Sequence, residues 1–436
     1  MIGNNVSIKK EKMTHRPKIG HESFFKNTIW QYGLQILKYL FPLVLIPYLT
    51  RVLGTGTYAV YAYVYSFMGV MQTIADFGFT LSGTKKVVEH KDNNQELSGL
   101  VGDITAARLM LLGALLVITL VISAFIPIMS ENVPYVLLAL VAVGLRALLP
   151  DFIFQGYEQM GPLTTRYFAS KGSQVLLTLL FVRGPDDLLF VALADIVGSS
   201  IGLVWSFAAA KRMFGVGISA PKLHQSFLEL KDSAIYCVSE VSSSLFSGFT
   251  TIIIGLALTD RTDIAFWSLT LTTVNAVQAL YAPIVNSLYP HMLNNGDFGF
   301  AKRLALLAAP ILTIGTAAYC LLAEPIMLIL GGNDYLGAAH VMRMISPVLP
   351  ISFYAVFIGW PILGAMGYVK GLTITTVIAG VFNVVSLLVL YASGLATLDS
   401  ICVVRWLVEA VMLAARSVLL LLVARNDDTI CRRRAT

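Results

Sequence analysis

Charge is scarce in this 436-residue sequence: Asp, Glu, Lys and Arg make up 13% of it, against roughly 25% in a soluble domain. That shortage, beside 56% hydrophobic residues and a mean hydropathy of +0.75, excludes a soluble enzyme, a disordered chain and a nucleic-acid module together. Cysteine is almost missing, with only Cys237, Cys320, Cys402 and Cys431 and no CxxC, so neither a disulfide framework nor a metal knuckle is indicated. There is no GxxxxGK[ST] loop, which excludes direct ATP use through that motif. The six histidines fall in tails, loops or span ends beside no plausible nucleophile, so catalysis is not expected and no cofactor is called for. The basic N-terminal stretch runs into an apolar segment as long as a full span with no cleavage site, so no removable signal peptide is expected.

What is present is apolar sequence in runs long enough to cross a bilayer, which needs roughly 20 residues per helix. The runs lack the period-two alternation of barrel strands. The expected fold is therefore an all-α polytopic membrane protein of about twelve transmembrane helices. The breaks divide it into a tail at 1–28, a first six-helix bundle at 29–210, a linker at 211–232, a second bundle at 233–424 and a tail at 425–436. Two parallel six-helix halves around a shared cavity are the natural reading. Of the 31 Lys and Arg, 21 fall on the side of the N-terminus, 3 on the other and 7 inside spans. The positive-inside rule then puts both termini in the cytoplasm of a multi-pass protein.

Ionisable groups inside spans cost about 2.5–3.5 kcal/mol on insertion scales, so they mark cavities or partners. Lys38 sits at the centre of the first span, on one helical face with Asn27, Gln31, Gln35 and Pro42. The second span carries Tyr61, Tyr65, Met68, Gln72 and Asp76 at the same spacing, a mixture of rings and hydrogen-bonding groups that suits sugar. A packing stripe reads equally well from the spacing. The seventh span repeats the pattern with Tyr236, Glu240, Ser243 and Ser247, and the eighth with Asn275, Gln278 and Asn286. In the twelfth, Arg405 and Glu409 stand at i,i+4 and Arg416 is left over. Arg146, Asp151, Asp195 and Glu324 read as isolated charges, whereas Arg108, Lys171 and Arg343 lie near span ends and read as snorkelling.

Several strings resemble one family. They are Pro47-Tyr48-Leu49-Thr50-Arg51-Val52-Leu53-Gly54 with Tyr58, Asp76-Phe77-Gly78-Phe79, Phe154-Gln155-Gly156-Tyr157-Glu158-Gln159-Met160 with Arg166, and Tyr289-Pro290. In order and spacing they resemble the Wzx-type oligosaccharide flippases of the polysaccharide transporter family, in the multidrug/oligosaccharidyl-lipid/polysaccharide exporter superfamily. The resemblance implies two bundles around a V-shaped cavity resembling the multidrug and toxin extrusion transporters. It also implies alternating-access transfer of an undecaprenyl-diphosphate-linked oligosaccharide from the inner to the outer leaflet of a bacterial cytoplasmic membrane. O-antigen, capsule or exopolysaccharide synthesis would be served, with membrane lipids, a polysaccharide polymerase and the chain-length machinery as partners and no nucleic acid. Carried onto this chain, the arginine of the first outer loop is Arg51, a candidate substrate contact, and the loop after the fourth span is Gln155 to Arg166.

On the residues themselves, the diphosphate candidates are Lys38, Arg146 and Arg416. Gln35, Tyr65, Gln72 and Gln278 are the glycan-facing candidates, and Asp76, Glu240 and Glu409 are candidates for coupling to a proton or sodium gradient. A cation-coupled multidrug exporter is the alternative, although it should carry an acidic first-span cavity rather than a lysine. A glycan polymerase or ligase fits less well, since every expected outer loop is short.

Overall fold

The computed structural model describes residues 21–434 apart from positions 92, 259, 282–283, 286–287, 290–291 and 293–297. For residues 21–28, 31, 235–236, 238–248 and 424–434 the backbone alone is described. No strand occurs among the described residues.

The helices follow the apolar runs. They are α1 (His21–Asp76), α2 (Phe79–Glu89), α3 (Asn94–Phe125), the short α4 (Pro127–Ser130), α5 (Val133–Ala147), α6 (Asp151–Gly156), α7 (Met160–Phe181) and α8 (Leu188–Phe214) in the first half. The second half holds α9 (Leu223–Ala257), α10 (Arg261–Gln278), α11 (Phe298–Leu321), α12 (Ala323–Gly331), α13 (Ala338–Ile345), α14 (Val348–Phe357), α15 (Val369–Ala392) and α16 (Leu398–Arg434). Among the described residues eight helical stretches are long and apolar enough to cross a membrane, and the first of them, Tyr32–Glu89, is interrupted by a sharp turn. The turn is at Gly54, whose φ of 67° glycine adopts without strain. The expected fifth, seventh and eighth spans also form helices, α7, α9 and α10. Their polar faces keep them out of the most apolar class.

Several expected spans are broken, each for a local reason. Pro150 separates α5 from α6, because it cannot donate to the helix ladder. Phe77 and Gly78, both with positive φ, bend the second span and redirect it as α2. The tenth span loosens to π-helical geometry over Ile358–Gly364, around Gly359 and Pro361. Between the halves α8 runs to Phe214, Gly215 caps it in the left-handed conformation, and α9 begins at Leu223.

Within the first half α7 packs on α8, and α8 on α5; within the second, α15 packs on α16, and α16 on α14. The halves meet where α1 lies along α9 and α10. At the Gly54 end they are clasped: the Thr50 hydroxyl donates to Leu330 O (2.6 Å), and Arg51 Nη2 donates to Ile329 O (2.7 Å) and Leu328 O (3.3 Å). These carbonyls lie in the last turn of α12, the negative end of its dipole, to which a cation is electrostatically suited. Arg261 pairs with Glu131 at the same end. At the linker end Lys86 bridges Glu229 (2.8 Å) and Asp232 (3.0 Å) on α9, while Ser82 and Ser233 share a hydrogen bond of 2.7 Å.

Two of the family-like strings meet at that end, in the packing of α2 against α6. A Cβ at Gly83 would fall 2.8 Å from the Phe152 ring, and one at Gly156 would fall 2.4 Å from Val87. Tyr157 stacks on Phe214 at 4.1 Å and its hydroxyl donates to Lys91 O. These residues position helices and do not reach the cavity.

Candidate functional site

Two adjoining recesses lie between the halves. The first, of about 140 Å³, is walled by Lys38, Pro42, Tyr61, Tyr167, Lys171 and Gln174. The second, of about 550 Å³, is walled by Thr250, Trp267, Asn275, Asn383, Arg405 and Glu409. Both share Tyr65, Ser66, Ser268 and Thr272 in their linings, so they lie side by side. The larger falls within the range of about 300–1,000 Å³ typical of small-molecule sites.

The first-half wall is cationic. Lys38 is exposed at the centre of the first helical pass and has no hydrogen-bond acceptor among the described residues. Behind it runs a polar chain that crosses four helices. Gln72 Nε2 donates to Asp76 Oδ1 (3.4 Å), Arg146 Nε donates to Gln72 Oε1 (3.3 Å), and Arg146 Nη1 donates to Asp195 Oδ2 (2.5 Å). Lys171 Nζ then bridges Asp195 Oδ1 (3.2 Å) and Gln174 Oε1 (2.6 Å). One carboxylate thus serves two cations, and Lys38 adds a third positive charge nearby. The amide oxygens of Gln72 and Gln174 solvate the surplus, which a bilayer interior would otherwise make costly. Tyr61 and Tyr65 stack at 5.9 Å on the same wall, and Tyr65 is 58% exposed.

The second-half wall is close to neutral. Arg405 Nη1 donates to Glu409 Oε1 at 2.7 Å, pairing the two charges. Asn383 Nδ2 donates to Thr250 Oγ1 at 3.2 Å, and Trp267 is buried beside them.

The expected site residues therefore fall into distinct places. Lys38, Tyr65 and Glu409 line the recesses; Arg146 and Gln72 stand in the polar chain bordering them, with Asp76 at its end. Gln35 is exposed one turn from Lys38. Gln278 instead donates to Ser352 Oγ at 3.0 Å, within the second half. Arg51 serves the clasp at the Gly54 end. Arg416 is buried, donating to Ala355 O (2.5 Å) and Thr376 Oγ1 (3.2 Å). There it satisfies a carbonyl next to the π-helical break and packs against Gly359. The side chain of Glu240, with those of Asn27, Gln31, Tyr236, Ser243 and Ser247, lies outside the described residues, as does Asn286.

Sequence reasoning missed Lys171 and Asp195 as members of the site. Lys171 does not snorkel: its side chain is 21% exposed and ion-paired inside the protein. Arg108 is likewise no snorkelling residue, being 2% exposed, donating to Leu149 O at 2.9 Å and lying over the rings of Phe79 and Phe152. Arg166, expected in a loop, is buried in α7 and pairs with Asp151. A signal for these pairs was available. Lys171 and Asp195 stand symmetrically about the α7–α8 turn, Asp151 and Arg166 about the α6–α7 turn, and Glu324 and Arg343 about the turn before α13. Antiparallel neighbours place such residues at equal depth.

Known proteins share this architecture and part of the sequence. A protein of Escherichia coli (strain K12) named "Putative O-antigen transporter" is 24% identical over 335 residues, covering 75% of this chain and 80% of that protein. Its namesake from Shigella dysenteriae is 22% identical over 343 residues, covering 78% and 86%. Among solved structures, lipid II flippase MurJ in an inward closed conformation superposes with a TM-score of 0.72 at 12% identity, covering 91% of this chain and 87% of that one. An inward-facing multidrug resistance MATE family transporter of the MOP superfamily gives 0.66 at 14%, covering 88% and 95%. These likenesses show the exporter fold. The sequence model of the polysaccharide biosynthesis protein family matches residues 24–295, well over half of the length, and the chain belongs to that family.

Proposed function

We propose that this protein is a flippase, not an enzyme. It would carry undecaprenyl-diphosphate-linked oligosaccharide units from the inner to the outer leaflet of the bacterial cytoplasmic membrane by alternating access. The observation that carries this reading is a pair of adjoining recesses between the halves with chemically different walls. A diphosphate bears about two negative charges, and taking it through hydrocarbon requires cationic groups in place of water. Lys38, Arg146 and Lys171, set against Asp195 and the more distant Asp76, offer that surplus on one wall. The other wall offers hydroxyl, amide and ring surfaces suited to sugar. Family membership and relatives named as an O-antigen transporter and a lipid II flippase support the same reading.

The proposal includes termini in the cytoplasm, with the linker end facing inward, and the half boundaries at 29–210 and 233–424. The clasp at the Gly54 end then closes the outer side, while the polyprenyl tail stays in lipid. Coupling to a proton or sodium gradient through Asp76 or Glu240 belongs to the same proposal; Glu409, paired with Arg405, suits that role less. A multidrug exporter is disfavoured because the first-half wall carries surplus positive charge, which repels organic cations. Deleting the gene should abolish the surface polysaccharide and accumulate the lipid-linked repeat unit in the inner leaflet. Unchanged surface polysaccharide with no accumulation would refute the proposal.

A further inference from the structure

Among the cations of the first-half wall, Lys171 belongs both to the recess and to an ion pair. Its side chain, 21% exposed, lines the 140 Å³ recess together with Lys38. Arg146 and Asp195 stand behind it, around a smaller cavity that has Tyr61, Tyr65 and Gln174 in common with the recess. The Lys171 ammonium carries three donors, of which two are used, on Asp195 Oδ1 (3.2 Å) and Gln174 Oε1 (2.6 Å). Asp195 has a second cation, Arg146, on its other oxygen, so its charge stays compensated if Lys171 lets go. Lys38 has no acceptor among the described residues. At about 140 Å³ the recess is smaller than the roughly 300 Å³ at which small-molecule sites begin, which suits a compact anion rather than a run of sugar rings.

We infer that Asp195 is a resident counter-anion that competes with the substrate's diphosphate for Lys171. The diphosphate enters the recess and meets Lys38; Lys171 exchanges its carboxylate for a phosphate oxygen, and Asp195 stays with Arg146. When the substrate leaves, the Lys171–Asp195 pair re-forms. The physical reason is release. Several unengaged ammonium groups in a wall of low dielectric would hold a diphosphate so tightly that its departure limits turnover, and binding that is equally strong before and after the crossing does not speed it. A carboxylate already within reach of one ammonium lowers the affinity and quickens departure. Asp195 is thus a positioning residue that acts through Lys171 and touches no substrate. The inference rests on the flippase reading and adds to it how the head group is let go.

The test measures inorganic pyrophosphate binding to the purified full-length protein in nanodiscs, and lipid-linked oligosaccharide transfer in proteoliposomes. Asp195→Asn should tighten pyrophosphate binding roughly tenfold, because a like charge across one ammonium is removed. It should also slow transfer at saturating substrate at least about threefold, a split between affinity and turnover. A carboxylate with a structural role alone would lower both together, since its loss would misplace Arg146 and Lys171. Because Asp195→Asn leaves two cations without their shared partner and risks misfolding, Arg146→Met/Asp195→Asn is measured beside it. That pair of changes leaves the net charge as it was, yet it frees Lys171 and should still tighten binding at least about threefold. Lys171→Gln, which keeps Arg146 and Asp195 paired, should weaken binding at least about tenfold. Undecaprenyl diphosphate in the disc should displace the pyrophosphate from wild type. Unchanged or weaker binding by Arg146→Met/Asp195→Asn, wild-type binding by Lys171→Gln, or no pyrophosphate binding at all would overturn the inference. Pyrophosphate that undecaprenyl diphosphate fails to displace would assign the recess to a soluble diphosphate and overturn it too. In each of those cases a wild type that still transfers lipid-linked units loses this inference alone, whereas failure to transfer any unit removes the underlying function.

Discussion

Asp195→Asn is the perturbation whose consequence follows most directly from the geometry. Asp195 binds Arg146 through one oxygen and Lys171 through the other, with its side chain 16% exposed. The amide has almost the same shape but no charge, so Arg146 and Lys171 lose the carboxylate they share. Breaking a buried pair by removing one partner costs about 3–5 kcal/mol, because the remaining charge is uncompensated. The amide oxygens of Gln72 and Gln174 already solvate Arg146 and Lys171, which argues for the lower end, about 3 kcal/mol. That is a shift of more than a hundredfold in the folding equilibrium, since every 1.4 kcal/mol is a factor of ten. Denaturant or thermal unfolding in detergent, followed by loss of monodispersity, should register it. Adding Lys171→Met to Asp195→Asn restores one carboxylate's worth of charge and should recover at least 1 kcal/mol, the range typical of directly coupled residues. An Asp195→Asn protein as stable as wild type, or a double variant whose losses simply add, would refute the reasoning.

Other expectations concern the ends of the molecule and its tight contacts. Arg51→Ala should loosen the clasp on the α12 carbonyls by about 1.5–3 kcal/mol, the worth of hydrogen bonds to a charged group, and spin-label distances between the Gly54 turn and α12 should broaden. Gly83→Ala and Gly156→Ala should each cost about 1–3 kcal/mol by overpacking and lower membrane abundance, whereas Gly99→Ala, with open space around it, should not. Burial, with Asp260 and Asp399 nearby, holds the Asp263 carboxyl above the ordinary carboxylate range. Its native form therefore binds protons more readily than the unfolded chain, and its charge destabilises the fold at neutral pH and less as pH falls. Asp263→Asn should raise thermal stability at pH 7, with the gain disappearing under acid.

Much of this fold was legible from hydropathy, because apolar runs of span length leave few alternatives to a helix. The bends were harder. Pro150, Gly54 and the Phe77-Gly78 pair were visible as residues, yet whether a proline or glycine breaks a span depends on what satisfies the freed carbonyls, and that is tertiary information. Arg416 illustrates the gap: as a leftover charge it suggested a cavity ligand, but it serves a backbone carbonyl beside a π-helical break contributed by another span. Lys38 stood out because mid-span depth gives a lysine nowhere to snorkel, and it does line the space between the halves. Lys171 was misread because distance from a span end was taken as a measure of exposure, while its partner lay across a helical hairpin. Most residues of the family-like strings at 47–58, 76–79 and 154–166 act as turns, clasps and close packings, so what made them recognisable was largely the demand of the fold.

The most direct test of the central claim is lipid-linked oligosaccharide transfer by purified protein in proteoliposomes, comparing wild type with substitutions of Lys38 at matched protein content. Lys38 is exposed and has no hydrogen-bond acceptor among the described residues, so these variants should insert and fold normally. Wild type should move the diphosphate-linked substrate between leaflets, Lys38→Arg should retain part of that activity because charge survives without the compact ammonium, Lys38→Ala should be impaired, and Lys38→Glu should be worst because it repels the anionic head. Transfer by Lys38→Glu at the wild-type rate would take Lys38 off the substrate path, and a wild type that transfers no lipid-linked oligosaccharide would contradict the account.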